Sequence, residues 1–215
     1  MHTEIIEISR EDPDPEALEK AAAAIRAGKV VAIPTETLYV LAADPFSLKA
    51  VSSVFQAKGR EMHRALPILV DSVQMAEAYA GPEPGDRFKA LSDSFWPGPL
   101  TIIVPASSKL PLKVTGNSGR MAVRQTAEPT ATRLIAALGT PIIATSANRS
   151  GRPTCKSGIE VFGEMDSSVD LILDGGAVAG AGATTVDITE FDWRVIREGA
   201  VSLESLEHCL RLLPD

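Results

Sequence analysis

The hydrophobic positions of this chain follow two spacings along most of its length. Short aliphatic runs, such as 29–33 and 100–104, have the length and β-branched content of buried strands. Between several of these runs, apolar residues recur at every third or fourth position, as in 17–25, which is typical of an amphipathic helix. The pattern therefore predicts short strands interspersed with helices.

Capping residues mark the ends of two predicted helices. Asp14 followed by Pro15 is typical of an N-terminal cap with proline in the first helical position, and Gly28 ends the apolar run. Ser47 and Gly59 bound a second helix in the same way. Further helices are predicted after Asp71 or Ser72, at 129–138 and at 203–212.

The predicted strands outnumber the predicted helices, and several follow one another directly. They lie at 5–8, 29–33, 66–70, 100–104, 121–124, 141–145, 169–173, 184–188 and 194–197. This order favours an α/β fold of one domain, with a twisted mixed or antiparallel sheet and flanking helices. The segments 82–86 and 175–182, rich in glycine with proline or alanine, are interpreted as loops.

Length, charge and cysteine content narrow the function classes. A chain of 215 residues is expected to form one domain over 1–215. The formal charge of −7 argues against a protein that coats nucleic acid, although a local basic site remains open. Two distant cysteines, no signal-peptide pattern and no long apolar run predict a cytoplasmic protein without a membrane partner.

Four polar segments follow predicted apolar elements, where a rigid scaffold can hold a binding group. They are 34–39, 58–64, 120–124 and 145–154. Lysine with arginine suits a polyphosphate or a carboxylate, and a loop of hydroxyls, an amide and glycine can approach a phosphate closely. Each segment alone could equally be a capping or solvent-facing turn. No Walker loop and no GxGxxG pattern occurs.

The charge of these segments is opposite to that of the whole chain. Residues 58–64, 120–124 and 149–156 contain eight lysines and arginines and a single acid, Glu61. The acidic average therefore hides a concentration of positive charge, which predicts one focused anion site.

Taken in order, these and other segments resemble the YrdC-type family of threonylcarbamoyl-AMP synthases. The resemblance rests on VVAIPTETLY at 30–39, KGR at 58–60, WPGPLT at 96–101, AVR at 122–124, TSANRSG at 145–151, LDGG at 173–176, TTVD at 184–187 and VIREG at 195–199. It implies a YrdC-like fold with a core of about 15–200, a concave basic cavity and no C-terminal accessory domain.

The resemblance also implies a reaction and its partners. L-threonine, bicarbonate and ATP with Mg²⁺ would give threonylcarbamoyl-AMP and pyrophosphate. Partner proteins would then transfer the threonylcarbamoyl group to tRNA, which this chain would contact indirectly or transiently. Two alternatives stay open: a nucleotide- or double-stranded-RNA-binding module, and a YciO-like paralogue without this catalysis.

Site roles are carried over from the same resemblance. Lys58 and Arg60 would be catalytic and meet the triphosphate, and Thr35, Arg124 and Thr184 would hold threonine. The remaining expected contacts to ATP are Ser146, Asn148, Thr154 and Arg197, with Tyr39 as a wall of the pocket. Magnesium would be held mainly by phosphates and water, and no protein ligands for a metal are predicted.

Three positions depart from the usual family pattern. Val40 stands where the family usually has glycine, and Ala65 stands where a proline is expected before leucine. Ala183 precedes the two threonines in place of the usual serine, so the substrate-facing hydroxyl is either lost or provided by Thr184.

Overall fold

The computed structural model describes residues 2–61, 64–82, 84–178 and 180–211. Ten strands of these residues form one mixed sheet with the order β1-β8-β2-β3-β7-β4-β6-β5-β9-β10. The strands are β1 (Glu4–Glu7), β2 (Val31–Pro34), β3 (Tyr39–Ala43), β4 (Ile68–Val70), β5 (Leu100–Pro105), β6 (Arg120–Gln125), β7 (Ile142–Ser146), β8 (Leu171–Asp174), β9 (Thr184–Asp187) and β10 (Arg194–Arg197).

Eight helices of the described residues accompany this sheet. They are α1 (Pro15–Arg26), α2 (Leu48–Lys58), α3 (Val73–Tyr79), α4 (Gly85–Phe95), α5 (Leu112–Thr115), α6 (Pro129–Leu138), α7 (Gly158–Met165) and α8 (Leu203–Arg211). The expected α/β fold with a mixed sheet and flanking helices is confirmed.

The two faces of the sheet bury different sets of helices. One face carries the larger core, in which α2, α4, α7 and α8 contribute buried apolar residues such as Phe55 and Leu91. The opposite face packs α1 and α6 over strands β2, β7 and β8, with Ile25 and Leu134 fully buried. Because successive residues of a strand point to opposite faces, β2, β3 and β7 contribute alternate residues to the two cores.

The capping residues predicted from the sequence have the expected geometry. The Asp14 side chain accepts a hydrogen bond from the Glu16 amide, and that of Ser47 accepts one from the Ala50 amide. Gly59 follows α2 in the left-handed conformation with φ of 58°, which glycine adopts without the steric cost of a Cβ. Helix α2 therefore ends at Lys58, immediately before the capping glycine.

Four elements were absent from the sequence prediction: β3, α4, the four-residue helix α5 and α7. Strand β3 follows directly on the polar segment 34–39, and helix α4 begins at Gly85, inside the segment 82–86 that was interpreted as a loop. Helix α7 begins after Ser157, whose side chain accepts a hydrogen bond from the Glu160 amide.

Candidate active site

The polar segments converge on a cavity of about 590 Å³ on the face of the sheet that also carries α1 and α6. Its floor consists of alternate residues of neighbouring strands, because the register places side chains of the same face opposite one another. Val40 lies opposite Ser146, and Leu69 lies opposite Arg124. The remaining floor positions on β5, β6, β7 and β9 include Thr101, Ala122, Ala144 and Thr185.

The lining of this cavity is strongly cationic. Its basic residues are Lys58, Arg60, Arg64, Arg124 and Arg197. None of the described residues that line it is an aspartate or a glutamate. The cavity is therefore suited to an anion, as the charge distribution along the sequence predicted.

Lys58 connects the end of α2 to the loop after β7. Its Nζ atom donates to the carbonyl oxygens of Ser146 and Asn148, at 2.5 and 2.9 Å, and lies 3.4 Å from the Ser146 hydroxyl. The Lys58 carbonyl accepts a hydrogen bond from the Ser150 amide. Burial and, to a lesser extent, the charge of Arg60 lower the pKa of Lys58 to about 8. Lys58 thus holds this loop in place and brings a readily deprotonated cation to the cavity.

Two buried polar atoms at this end of the cavity lack a protein partner within the described residues. They are Nε of Arg60 and Oδ1 of Asn148. The orientation of Asn148 is fixed because its Nδ2 donates to the carbonyls of Arg149 and Arg152 at 2.9 and 2.7 Å. A ligand that supplies an acceptor for Arg60 and a donor for Asn148 would satisfy both atoms.

Arg124 lines the cavity in a network with the turn between β2 and β3. Its Nη1 atom donates to Oε1 of Glu36 at 3.0 Å and to the hydroxyl of Thr37 at 3.1 Å. The other carboxylate oxygen of Glu36 accepts from the hydroxyl of Thr126 at 2.7 Å. The Arg124 side chain is only 5% exposed, so a purely solvated role is excluded.

Arg197 approaches the cavity from β10, the edge strand. Its Nε and Nη2 atoms both donate to the carbonyl oxygen of Ala183, at 3.1 and 2.9 Å. Burial, and also the positive charge of Arg197, lowers the pKa of Arg124, while Glu36 opposes this shift. The two arginines are thus close enough to repel each other, as expected of a site built to receive an anion.

Six of the predicted site residues line this one cavity. They are Lys58, Arg60, Arg124, Ser146, Asn148 and Arg197. They come from α2, β6, β7 and β10 and the segments that follow these elements. The structure therefore brings together most of the side chains to which the sequence assigned a ligand role.

Thr35 and Thr184 lie behind the cavity rather than on its surface. The Thr35 hydroxyl is fully buried, donates to the Leu38 carbonyl and accepts from the amides of Thr37 and Leu38. The Thr184 hydroxyl is engaged with the backbone of Val201. In both cases a neighbouring threonine, Thr37 or Thr185, lines the cavity instead.

Tyr39 and Thr154 also lie outside the lining. Tyr39 projects to the other face of β3, where its hydroxyl donates to the carbonyl of Gly176 at 2.8 Å and lies 3.0 Å from the carboxylate of Asp174. Thr154 is exposed, and the cavity is lined instead by Ser150 and its neighbour Gly151 from the same loop. Tyr39 therefore is not a wall of this cavity.

Alternation along the strands is the signal that would have corrected these placements. Val40 lines the cavity, so its neighbour Tyr39 must face away, and Thr185 faces the cavity because it is paired with Thr101 of β5.

Glu36 was not predicted as a site residue, although a carboxylate within a basic site is the natural partner of a buried arginine. All three departures from the usual family pattern, Val40, Ala65 and Ala183, line the cavity.

Comparison with known proteins agrees with this geometry. The Sua5/YciO/YrdC family model, whose description reads "Telomere recombination", matches residues 23–199. The chain belongs to the Sua5/YciO/YrdC family. The matched range contains all of the lining residues described above.

Curated relatives in this family are threonylcarbamoyl-AMP synthases. The chain is 39% identical to the Pyrococcus abyssi enzyme over 188 residues, which are 87% of this chain and 55% of that protein. It is 35% identical to the Pseudomonas putida enzyme over 182 residues, which are 85% of this chain and 97% of that protein. The chain spans only 55% and 58% of the lengths of the Pyrococcus and Bacillus subtilis relatives.

Solved structures of family members have the same fold. P. abyssi Sua5 in complex with L-threonine superimposes with a TM-score of 0.92 at 37% identity, over 97% of this chain and 61% of that one. Escherichia coli YciO superimposes with a TM-score of 0.88 over 95% of this chain and 99% of that one. At 21% identity the YciO likeness shows the fold alone.

Two kinds of feature are absent from the described ranges. No three His, Cys, Asp or Glu residues among them are grouped so that they could hold a metal ion. None of the helices they form has the length and apolar content needed to cross a membrane.

Proposed function

We propose that this chain is an L-threonylcarbamoyladenylate synthase, which forms threonylcarbamoyl-AMP and pyrophosphate from L-threonine, bicarbonate and ATP. The observation that carries the proposal is the acid-free cavity, whose described lining includes five cations, four of them from the family motifs. Support comes from the 35–39% identity to proteins named threonylcarbamoyl-AMP synthase and from the likeness to a Sua5 structure complexed with L-threonine.

The amino-acid substrate binds at the Arg124 end of the cavity. The guanidinium of Arg124 clamps the substrate carboxylate, because a planar fork of donors matches a carboxylate and is fully charged at neutral pH. The small apolar floor at Leu69 and Ala144 leaves room for a short side chain such as that of threonine. Thr37 and Thr185 supply hydroxyls there, and Thr35 and Thr184 support them from behind.

The triphosphate binds along the loop after β7. Lys58, Arg60 and Arg197 neutralise its charge, and Ser146 and Asn148 contact the nucleotide. The buried, unpartnered Nε of Arg60 and Oδ1 of Asn148 then gain ligand partners. Thr154, on the exposed end of the same loop, contacts ATP only if the loop closes over the ligand.

Catalysis follows from position and charge rather than from a protein nucleophile. The threonine amine and bicarbonate condense to a carbamate with loss of water, a carbamate oxygen attacks the α-phosphorus, and pyrophosphate leaves. Arg60 and Lys58 stabilise the negative charge that develops on the transferring phosphoryl group. Arg124 holds the amine close to bicarbonate in a suitable orientation, which lowers the entropic cost of bringing the two reactants together.

Magnesium fits this site as a companion of the triphosphate. The described lining offers hydroxyls, amides and cations, so phosphate oxygens and water would supply most of the magnesium ligands. Bound in this way, the ion neutralises phosphate charge and favours departure of pyrophosphate. The chain's own contribution is to seat the triphosphate with Lys58 and Arg60.

The product is a mixed carbamic–phosphoric anhydride and therefore an activated acyl donor, so partner proteins that transfer the threonylcarbamoyl group to tRNA are part of the proposal. Contact with tRNA is indirect or transient, in line with the acidic average charge. The cytoplasmic location remains a prediction from the sequence.

Release of pyrophosphate from ATP tests the proposal directly. Purified protein with ATP, Mg²⁺ and bicarbonate is expected to release pyrophosphate only when L-threonine is added. Arg60→Ala should lower this rate about 100-fold, since a charged donor to the phosphoryl group is lost. Arg133→Ala is the matched control, because Arg133 pairs with Asp12 on the surface and does not line the cavity.

The same assay separates the alternatives. ATP or RNA affinity without threonine-dependent turnover would favour a binding module. Turnover with a different amine, and none with threonine, would favour a YciO-like paralogue with another acceptor.

A further inference from the structure

Glu36 is the one acidic side chain that the described contacts link to the cavity's buried arginine. Its Oε1 atom accepts from Nη1 of Arg124 at 3.0 Å, and its Oε2 atom accepts from the hydroxyl of Thr126 at 2.7 Å. Nη1 of Arg124 also donates to the hydroxyl of Thr37 at 3.1 Å. One corner of the guanidinium is thus held from two sides, and Arg124 still lines the cavity.

We propose that Glu36 is a positioning residue for the amino-acid substrate, which holds one edge of the Arg124 guanidinium so that its remaining donors face the substrate carboxylate. This inference rests on the proposed function and assigns Glu36 a role in threonine binding but none in ATP binding. Without Glu36, Arg124 loses the ion pair that orients it and keeps only the hydrogen bond to Thr37.

The negative charge of Glu36 also affects the ionisation of Arg124. Arg124 is buried and close to Arg197, and both conditions disfavour its charged form. The negative charge of Glu36 offsets part of these two effects. A substrate carboxylate then binds an arginine that is already charged and oriented, which reduces the ordering cost of binding.

The turn that carries Glu36 is built to be rigid. Thr35 ties it from within through hydrogen bonds to Leu38 and Thr37. From outside, Gly180 packs so closely that a Cβ there would lie 2.5 Å from the carbonyl oxygen of Glu36. Two strands, β7 and β4, separate β3 from β6 in the sheet. The Glu36–Arg124 pair therefore links β6 to the turn before β3 across two intervening strands.

A direct catalytic role for Glu36 is less compatible with these contacts. A general base for the substrate amine needs a free oxygen that faces the substrate, whereas both oxygens of Glu36 are engaged by protein donors. Glu36 is also absent from the lining of the cavity. The two roles make different kinetic predictions.

Steady-state kinetics of Glu36→Gln and Glu36→Ala tests the proposal. Glutamine keeps an oxygen that can accept from Arg124 but removes the charge, and alanine removes both. The KM for threonine should rise about 10- to 100-fold, more for alanine than for glutamine, because misplacement of a binding group by about 1 Å has effects of this size. The KM for ATP should change less than about twofold.

Glu128→Gln is the matched control. Glu128 is a buried glutamate that pairs with Arg10 through both carboxylate oxygens, away from the cavity lining. Its loss should lower the midpoint of denaturant unfolding and leave both KM values unchanged. Thermal unfolding of all variants shows whether each remains folded, and calorimetric titration with threonine gives the affinity independently of turnover.

Three results with the Glu36 variants would overturn the inference alone. Equal increases in the KM for threonine and for ATP would mean a general structural role. A large fall in kcat at an unchanged KM for threonine would indicate that Glu36 acts as a general base. Wild-type kinetics in Glu36→Ala would exclude any role, while the proposed function would stand because the enzyme still turns over threonine. A wild type that neither binds nor uses threonine would overturn the proposed function and this inference with it.

Discussion

Thr184 and Thr185 are adjacent in β9, yet their hydroxyls have different tasks. The Thr184 hydroxyl donates to the carbonyl of Val201 at 2.6 Å and accepts from its amide at 3.0 Å. Thr185 is partly exposed and lines the cavity. One position along the strand therefore separates a hydroxyl that stabilises the fold from one available to a ligand.

Valine substitutions should separate these two tasks. Thr184→Val leaves a buried amide and carbonyl unpaired, so it should lower the free energy of unfolding by about 1–3 kcal/mol. Thr185→Val should leave stability nearly unchanged and raise the KM for threonine about two- to tenfold. Denaturant unfolding and steady-state kinetics measure the two effects, and a stability loss confined to Thr185→Val would contradict the assignment.

The lowered pKa of Lys58 predicts a pH dependence. Lys58 is charged below pH of about 8 and loses its proton as the pH rises through that value. The kcat/KM for ATP should therefore fall above about pH 8, because this ratio reports the ionisation of the free enzyme. Lys58→Met should have a kcat/KM about 10- to 100-fold lower and lack this falling limb. A falling limb that persists in Lys58→Met would assign it to another group.

At the scale of single residues, the sequence predicted best which cations reach the cavity and worst which hydroxyl groups do. Lys58, Arg60, Arg124 and Arg197 all reach the cavity as expected, because a buried or clustered cation needs an anionic partner wherever it lies. The hydroxyl of a threonine can form its hydrogen bonds equally well with the backbone or with a ligand. Thr35 and Thr184 therefore could not be distinguished from Thr37 and Thr185 without the strand register.

Among the elements, helices with explicit caps were predictable. Helix α1 begins at Pro15 after Asp14, and α2 ends before Gly59, because these residues satisfy or relieve the free backbone groups at helix ends. Helix α7 carries the same signal in Ser157 and Glu160, three residues apart, and could have been found from it. Strand β3 had no such signal, because five buried residues follow a polar turn without a break.

The glycine-rich segment 175–182 has a structural role that its composition did not indicate. Gly180 packs against the turn between β2 and β3, and a Cβ there would lie 2.8 Å from the Cα of Thr37. Gly182, two residues later, has open space around its Cβ position. The glycine-rich loop thus supports the turn that carries Glu36 and Thr37.

Alanine substitutions at these two glycines test that support. Gly180→Ala should displace the turn, lower the free energy of unfolding by about 1–3 kcal/mol and raise the KM for threonine. Gly182→Ala should change neither quantity appreciably. Identical kinetics for the two variants would show that the turn does not depend on the loop.

For the molecule as a whole, the charge is distributed unevenly. The chain has a formal charge of −7, yet the described cavity lining contains five cations and no acid. An acidic surface around a basic cavity discourages binding of long polyanions while it retains a strong local field for a small anion. The fold class and the clustering of cations were both predictable at this scale, whereas the shape of the cavity depended on the ten-strand order.

This distribution predicts a salt dependence confined to ligand binding. Raising NaCl from about 50 mM to about 300 mM should weaken ATP affinity several-fold, because the cavity is open to solvent and its charges are screened over about 10 Å or less. The melting temperature should change little. Calorimetric titration at the two salt concentrations measures the first effect, and ATP affinity independent of salt would contradict a cavity that binds through charge.

A crystal structure with L-threonine and a non-hydrolysable ATP analogue tests the central claim most directly. We expect both ligands in the one cavity, with the threonine carboxylate on Arg124 and the triphosphate along Lys58, Arg60 and Arg197. The amine of threonine should face the α-phosphate with room for bicarbonate between them. Ligands bound outside this cavity, or a triphosphate on Arg124, would contradict the account.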